Sequence, residues 1–312
     1  MKITEKDIID IVSKNYIFRE EVLTPIGEDA CILFPKQDSN LVVTTDTMVQ
    51  NTHFNDDISP YELGYISAAS NISDLSAMGA IPAFALINLT IERPEKAYIE
   101  DIVKGYNKIF STFPVAVVGG DTTYGPTSIT MTLIGYSTNN NFMLTSNAKN
   151  GDTVFISGAV GDSLLARKKN KYHMPESRNN LGNILSEYAN SCTDMSDGLL
   201  DSLKRITKKS NLGADISVDK IKITEELQKK IVEGIFSWQQ LLSYGDDYEL
   251  FFTVSKEKTT ALKKLCKSIN IEILEIGTLL EESNGINFTY NENLLDININ
   301  KKYEHFNKWK IQ

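Results

Sequence analysis

The chain has 312 residues, 41% of them hydrophobic and 23% charged, with a formal net charge of -9. That balance fits a globular protein of one large domain or two of ordinary size, able to bury a core without disulfide staples. It excludes the basic face that a nucleic-acid binder needs, and no apolar run approaches the roughly 20 residues that span a bilayer. Cys31, Cys192 and Cys266 are scattered, without metal-ligand or disulfide spacing, and read as reduced, mostly packed thiols. Met1 opens into a polar amphipathic segment with no basic-then-apolar leader, so the expected location is cytoplasmic.

In chain order, the spacing of Ile8, Ile11 and Val12 predicts a helix over 4–14, with Thr4 as its N-cap. Leu41 to Thr45 is a short β-prone run that delivers Asp46 at its end. Ser59-Pro60 starts a helix, because serine caps and proline is tolerated at the first helical position; it runs to Met78, with Gly79 as the stop. Asn71 and Asp74 share a face near its C-terminus, where a carboxylate opposes the helix dipole. Asp74 therefore answers to something other than helix stability. Ala83 to Ile91 reads as a buried strand and 95–112 as a helix. Val115 to Val118 reads as a buried strand ending in Gly119-Gly120-Asp121, and Thr127 to Tyr136 as a partner strand.

The polar stretch 138–150 reads as a linker, dividing the chain into domains at 1–137 and 138–312. Beyond it, Thr153 to Ile156 reads as a strand followed by Gly158 and Gly161. Arg167 to Lys171 reads as a solvated basic loop. Helices are expected over 199–210, 224–234 and 256–269, and strands over 214–218, 248–254 and 272–279. Strands and helices intermix in both halves, which predicts α/β or α+β layers.

Six acidic clusters punctuate this pattern: Gly27-Glu28-Asp29, Thr44-Thr45-Asp46, Asn71-Ile72-Ser73-Asp74, Gly119-Gly120-Asp121, Asp194-Met195-Ser196-Asp197-Gly198 and Gly245-Asp246-Asp247. Singly, each is also ordinary turn chemistry. Together they are easiest to explain by a shared cation, because crowded carboxylates repel one another and resist desolvation. A hard cation with oxygen ligands, completed by substrate phosphates, means magnesium rather than zinc. The glycines at 119, 120 and 158 let a backbone approach phosphate. Standard nucleotide loops are missing: there is no Gly-x-x-x-x-Gly-Lys-Ser/Thr, Rossmann glycine triplet or kinase His-Arg-Asp set. His53 lies on the polar loop 50–57, and no spacing argues for a Ser-His-Asp arrangement or an activated cysteine.

In this order the clusters resemble thiamine-monophosphate kinase. The match includes Ala30, His53-Phe54, Leu75-Ser76-Ala77-Met78-Gly79-Ala80-Ile81-Pro82, Thr122-Thr123, Leu199, Tyr248-Glu249-Leu250 and Tyr303-Glu304-His305-Phe306. It runs from about residue 20 to 306 and belongs to the superfamily of aminoimidazole ribonucleotide synthetase. The resemblance implies a two-domain α/β (α+β) protein. Its N-terminal mixed sheet would pair into a dimeric barrel in a homodimer, and its C-terminal α/β layer domain would complete the active site. It implies ATP as co-substrate, several Mg2+ ions and direct phosphoryl transfer onto thiamine monophosphate, without a covalent nucleophile. Residue by residue, it assigns metal contacts to Asp29, Thr44, Thr45, Asp46, Asp74, Asp121, Asp194 and Asp197. Nucleotide contacts fall to Gly120, Asp121 and Ser196, and acceptor contacts to His53, Asp246 and Tyr303. Two departures stand out. Asp246 replaces the family's glutamate, and an arginine expected before Ala148 is absent; if that arginine contacts nucleotide phosphate, Lys149 or a third metal must compensate, or ATP binds more weakly. The rival expectations are another ATP-dependent synthetase of the superfamily and a non-catalytic nucleotide or thiamine-phosphate binding protein.

Overall fold

In the computed structural model, which describes residues 3–14, 17–24, 26–137 and 141–300, the chain divides into two units. The first runs to Leu75 and resumes at Ala80; the second takes Ser76–Gly79 and the chain from Asn141 onward.

In the first unit, α1 (Glu5–Ser13) opens on a reciprocal cap: Asp7 N donates to Thr4 Oγ1 (3.3 Å) and Thr4 N to Asp7 Oδ2 (2.8 Å). Then come β1 (Asn40–Val49), α2 (Pro60–Ala77), β2 (Ile81–Ile91), α3 (Lys96–Phe110), β3 (Ala116–Tyr124) and β4 (Ser128–Ser137). The four strands form one sheet in the order β1-β4-β2-β3. Strand β4 pairs antiparallel with β1 and β2, and β3 pairs parallel with β2. Helix α3 buries Ile99, Ile102, Val103, Tyr106, Ile109 and Phe110 at helical spacing, so its core stripe is continuous.

Two sequence expectations need correcting here. Asp46 does not end its strand, and Gly119-Gly120-Asp121 does not terminate β3; both lie inside strands. The cause is pairing: β4 carries the ladder past Asp46, opposite Met131, and β2 carries it past Asp121, opposite Asn88.

The second unit contains β5 (Thr153–Ser157), α4 (Asp162–Lys168), α5 (Asn179–Tyr188), β6 (Ala189–Asp194), α6 (Leu199–Ser210), β7 (Leu212–Ser217), α7 (Glu225–Val232), α8 (Trp238–Ser243), β8 (Leu250–Val254), α9 (Lys256–Ser268), β9 (Ile273–Glu281), β10 (Ile286–Tyr290) and β11 (Asn293–Leu294). Its seven strands run in the order β11-β10-β7-β9-β5-β8-β6. The sheet is mixed, with β10 parallel to β7. Strand β5 is buried on both faces: Val154 and Ile156 enter one apolar cluster, with Leu200, Leu203 and Ile206, while Phe155 enters another. There Phe155 stacks on Phe252, ring centroids 5.4 Å apart.

The expected linker over 138–150 is not a free connection from Asn141 onward. Met143 is fully buried, its carbonyl accepts from Cys192 N (3.0 Å), and Asn141 Nδ2 donates to Ser186 O (3.0 Å). The basic run is likewise more than a solvated loop: Arg167 and Lys168 close α4, and the Arg167 guanidinium lies over the Tyr172 ring at 4.7 Å. Among the described residues no helix is long and apolar enough to cross a membrane.

Candidate active site

In the first unit the acidic residues are organised by the pleat of the sheet. Thr44 and Asp46 are two apart on β1 and share a face, while Thr45 points to the other. Thr44 Oγ1 donates to Asp74 Oδ2 at 2.5 Å, which sets the α2 carboxylate against that face. The Thr45 hydroxyl is committed elsewhere, donating to Met131 O (3.1 Å) and accepting from Thr132 Oγ1 (3.0 Å). Only its backbone is left to serve Asp46's side of the strand. Across the sheet, Asp46 lies opposite Met131, Met131 opposite Ile87, and Ile87 opposite Gly120. Asp46 and Asp121 therefore occupy the two edge strands. A side chain at Gly120 is impossible in this backbone: its φ is 145°, and an added Cβ would stand 1.8 Å from Ile87 O.

His53 follows β1 in a tight turn, where its N–H donates to Val49 O (2.9 Å) and its Nδ1 accepts from Val49 N (3.0 Å). That bond places the neutral ring's proton on Nε2. Asp29 is exposed in a loop closed by Ile32 N donating to Thr24 Oγ1 (2.7 Å).

In the second unit two expected site segments are joined by backbone bonds. Asp246 N donates to Ser196 O (2.8 Å), Tyr248 N to Met195 O (3.3 Å) and Met195 N to Glu249 O (2.8 Å). Gly245 allows the approach, since an added Cβ would sit 2.0 Å from Ser196 O. Asp246 is exposed, and Asp246 and Tyr248 both take left-handed backbone, with φ of 66° and 53°. On the opposing segment, Ser196 Oγ donates to the buried Asp194 carboxylate (3.3 Å).

Residues to which the sequence assigned no site role hold this wall in place. Asp247 is 4% exposed and accepts from Gly161 N (2.7 Å) and Ser163 N (3.0 Å). Burial pushes its carboxyl up to about 7, against the Gly161 and Ser163 donors that lower it. Ser163 Oγ donates to Gly245 O (2.6 Å). Glu249 is buried against Arg178, which donates from Nε (2.6 Å) and from a terminal nitrogen (2.5 Å). Burial raises the Glu249 carboxyl although that guanidinium lowers it. Arg205 on α6 donates to Thr193 Oγ1 (3.2 Å) and Asp201 Oδ2 (3.2 Å), and lies 3.9 Å from Asp197 Oδ2. The signal for Asp247 was its place in the Gly245-Asp246-Asp247 cluster; Arg205 had none beyond its spacing from Asp201.

Among the described residues no three His, Cys, Asp or Glu side chains gather into a metal-binding group. The donor chemistry nevertheless fits magnesium, since Thr44, Asp46 and Asp74 offer hard oxygens on one side of β1. Cys192 does not serve as a nucleophile: it is buried, and burial pushes its thiol far up. Tyr303 lies outside the described residues.

The N-terminal domain family of AIR synthase related proteins matches residues 27–137, and the C-terminal domain family matches 142–287. The thiamine-monophosphate kinase of Buchnera aphidicola subsp. Schizaphis graminum is 33% identical over 311 residues, covering 94% of this chain and 96% of that protein. The crystal structure of thiamine-monophosphate kinase from Stenotrophomonas maltophilia K279a superposes with a TM-score of 0.81 at 28% identity, covering 95% of this chain and 99% of that one. AaThiL, solved complexed with AMPPCP and TMP, gives a TM-score of 0.71 at 26% identity, covering 84% and 87%.

Proposed function

The chain belongs to the thiamine-monophosphate kinase family, and from that premise we propose that it transfers the γ-phosphoryl group of ATP onto thiamine monophosphate. An oxygen of the acceptor phosphate attacks the γ-phosphorus, the bond to the β-phosphate oxygen breaks, and thiamine diphosphate and ADP result. The observation that carries this reading is likeness over 94% of the chain to a kinase named for this activity. The acceptor is itself a phosphate, so in-line transfer needs no side-chain nucleophile.

The residues take the following parts. Thr44, Asp46 and Asp74, with Asp29, Asp121, Asp194, Asp197 and the Thr45 backbone, would hold magnesium, which neutralises phosphate charge when bound. Gly120 brings bare backbone to the nucleotide, and Ser196 offers its hydroxyl. His53 presents Nε2–H to an acceptor oxygen. Asp246 places a carboxylate for the cationic, amine-bearing heterocycle, and Tyr303 an aromatic face. We assign residues 1–137 to nucleotide, metal and dimer contacts and 138–312 to completing the site, and place the reaction in the cytoplasm.

A homodimer follows from the same reading. Asp46 and Asp121 sit on opposite edges of a four-stranded sheet, three strand spacings or about 14 Å apart. An ion shared by both is easiest to build if the β1 edge of one copy meets the β3 edge of another. Such closure makes a barrel, removes both open edges, and covers Leu41 and Val43, which are exposed in the single chain.

The test is a coupled assay for thiamine diphosphate with ATP, thiamine monophosphate and magnesium, repeated after chelation. Thiamine diphosphate and ADP are expected in equal amounts, with no turnover in chelator. ATP turnover only with a different acid or amide acceptor would instead favour a sister synthetase, and nucleotide binding without turnover a binding protein.

A further inference from the structure

The second unit's share of the proposed site is acidic: Asp194, Asp197, Asp201 and Asp246 all lie on the segments just described or on the helix that follows them. A nucleotide polyphosphate brought here adds several negative charges to those already present. Charge must be compensated, and a guanidinium already stands among these groups.

Arg205 projects from α6 over the end of β6. One terminal nitrogen donates to the Thr193 hydroxyl (3.2 Å); the other donates to Asp201 (3.2 Å) and lies 3.9 Å from Asp197. The bland account makes this an i,i+4 pair on a helix surface, since Asp201 and Arg205 have that spacing. The geometry is not that of a closed pair. The two terminal nitrogens serve different residues, so neither carboxylate takes the two-pronged grip that satisfies a guanidinium. A guanidinium has five N–H donors, and this side chain is 38% exposed, so donors remain for a further acceptor. Thr193 and Asp201 fix it in position, the Asp201 carboxylate pairing with one terminal nitrogen while Asp197 stands farther off at 3.9 Å.

The neighbouring loop makes the point stronger. Ser210 Oγ, at the end of the same helix, donates to Thr145 O (2.9 Å), so α6 is tied to the segment that follows Asn141. From 138 to 148 that segment contains no lysine or arginine. The helix carries the positive charge that the loop lacks.

We propose that Arg205 is a nucleotide-specificity residue whose guanidinium contacts the polyphosphate; this rests on the kinase reading above. Arginine suits the task, because its planar fork matches two phosphate oxygens where lysine offers a point charge. The affinity gained should depend on the β- and γ-phosphates and not on the nucleoside.

The experiment is equilibrium binding of magnesium-loaded AMPPCP, and separately of AMP, to the full chain without acceptor. Wild type is compared with Arg205→Ala, Arg205→Lys and the helix neighbour Lys204→Ala, each with a melting curve. Arg205→Ala should weaken AMPPCP about tenfold or more, Arg205→Lys should recover part of the loss, and Lys204→Ala should match wild type. AMP binding should be unchanged throughout. AMPPCP affinity within about twofold of wild type in Arg205→Ala would overturn the proposal, as would an equal loss for AMP and AMPPCP. If Arg205→Ala melts below the assay temperature, Arg205→Lys decides by the same criteria. Absence of AMPPCP binding by wild type would instead sink the kinase reading itself.

Discussion

The two units hold their site residues by different means. In the first, Thr44, Asp46, Gly120 and Asp121 belong to a regular ladder, and Asp74 reaches it by one hydroxyl bond. In the second, Ser196 and Asp246 sit on irregular segments held by backbone bonds to each other and by the buried Asp247. A ladder fixes every side chain through its neighbours, so a fault in it spreads. A loop pinned at a few points fails locally, and its consequences separate into binding, rate and stability.

Gly120→Ala breaks the comparison most severely. A methyl group 1.8 Å from Ile87 O forces β2 and β3 apart, so we expect a loss of about 3 kcal/mol or more and a visible drop in the melting temperature. An unchanged melting curve would show that this ladder yields as a loop does. Asp74→Asn spares the ladder and strikes the chemistry. Activity should fall about 100-fold or more, while the melting temperature holds or rises, because a carboxylate that opposes the α2 dipole and repels its neighbours is gone. Steady-state kinetics with a magnesium titration check this, and wild-type activity would remove Asp74 from metal binding.

The loop of the second unit is probed by Asp247→Asn. One amide cannot accept both backbone donors as a carboxylate does, so Asp246 loses its placement. The acceptor Michaelis constant should rise about tenfold, with a smaller change for ATP. The variant also carries a pH signature. Burial raises the folded-state carboxyl to about 7 from an ordinary 3.8, so protonation favours folding. That contribution is complete below pH 3.8 and is lost as pH rises through about 7. Wild type should therefore lose melting temperature over that interval relative to Asp247→Asn, and parallel curves would show that the group does not titrate there. Ser163→Ala is the smallest disturbance: it removes one hydrogen bond, to Gly245 O, and should cost about 1 kcal/mol with a modest rise in the acceptor constant alone.

The same contrast explains what could be read without coordinates. Start and stop signals located α2, the residue pattern located α3, α6 and α9 and the inner strands, and the ordered acidic clusters carried the family. Strand ends were misjudged where pairing overrode local signals, as at Asp46 and Asp121. Short elements such as α4, α5, α8 and β6 went unread because they carry too few turns or alternations for a period. Asp247 looked like turn chemistry, since burial is a property of its neighbours' positions and not of its own type. Arg205 was silent for the same reason: only the fold sets it beside Asp197. The apparent linker misled because Asn141 and Asn147 bond to backbone, and Met143 supplies the anchor.

The strand order of the second unit also bears on how the chain comes off the ribosome. Strands β5, β6 and β7 are synthesised first, yet none of them pairs with another of the three; their neighbours are β8, β9 and β10. The interior strand β5 waits for partners about a hundred residues downstream, with Val154, Phe155 and Ile156 uncovered until residues 250–281 emerge. Pairings this distant are slow to nucleate, and helices form faster than they do. The nascent sheet is thus a row of unpartnered strands until synthesis is nearly over. Its vulnerability to aggregation belongs to translation, and a ribosome stalled before β8 would expose it.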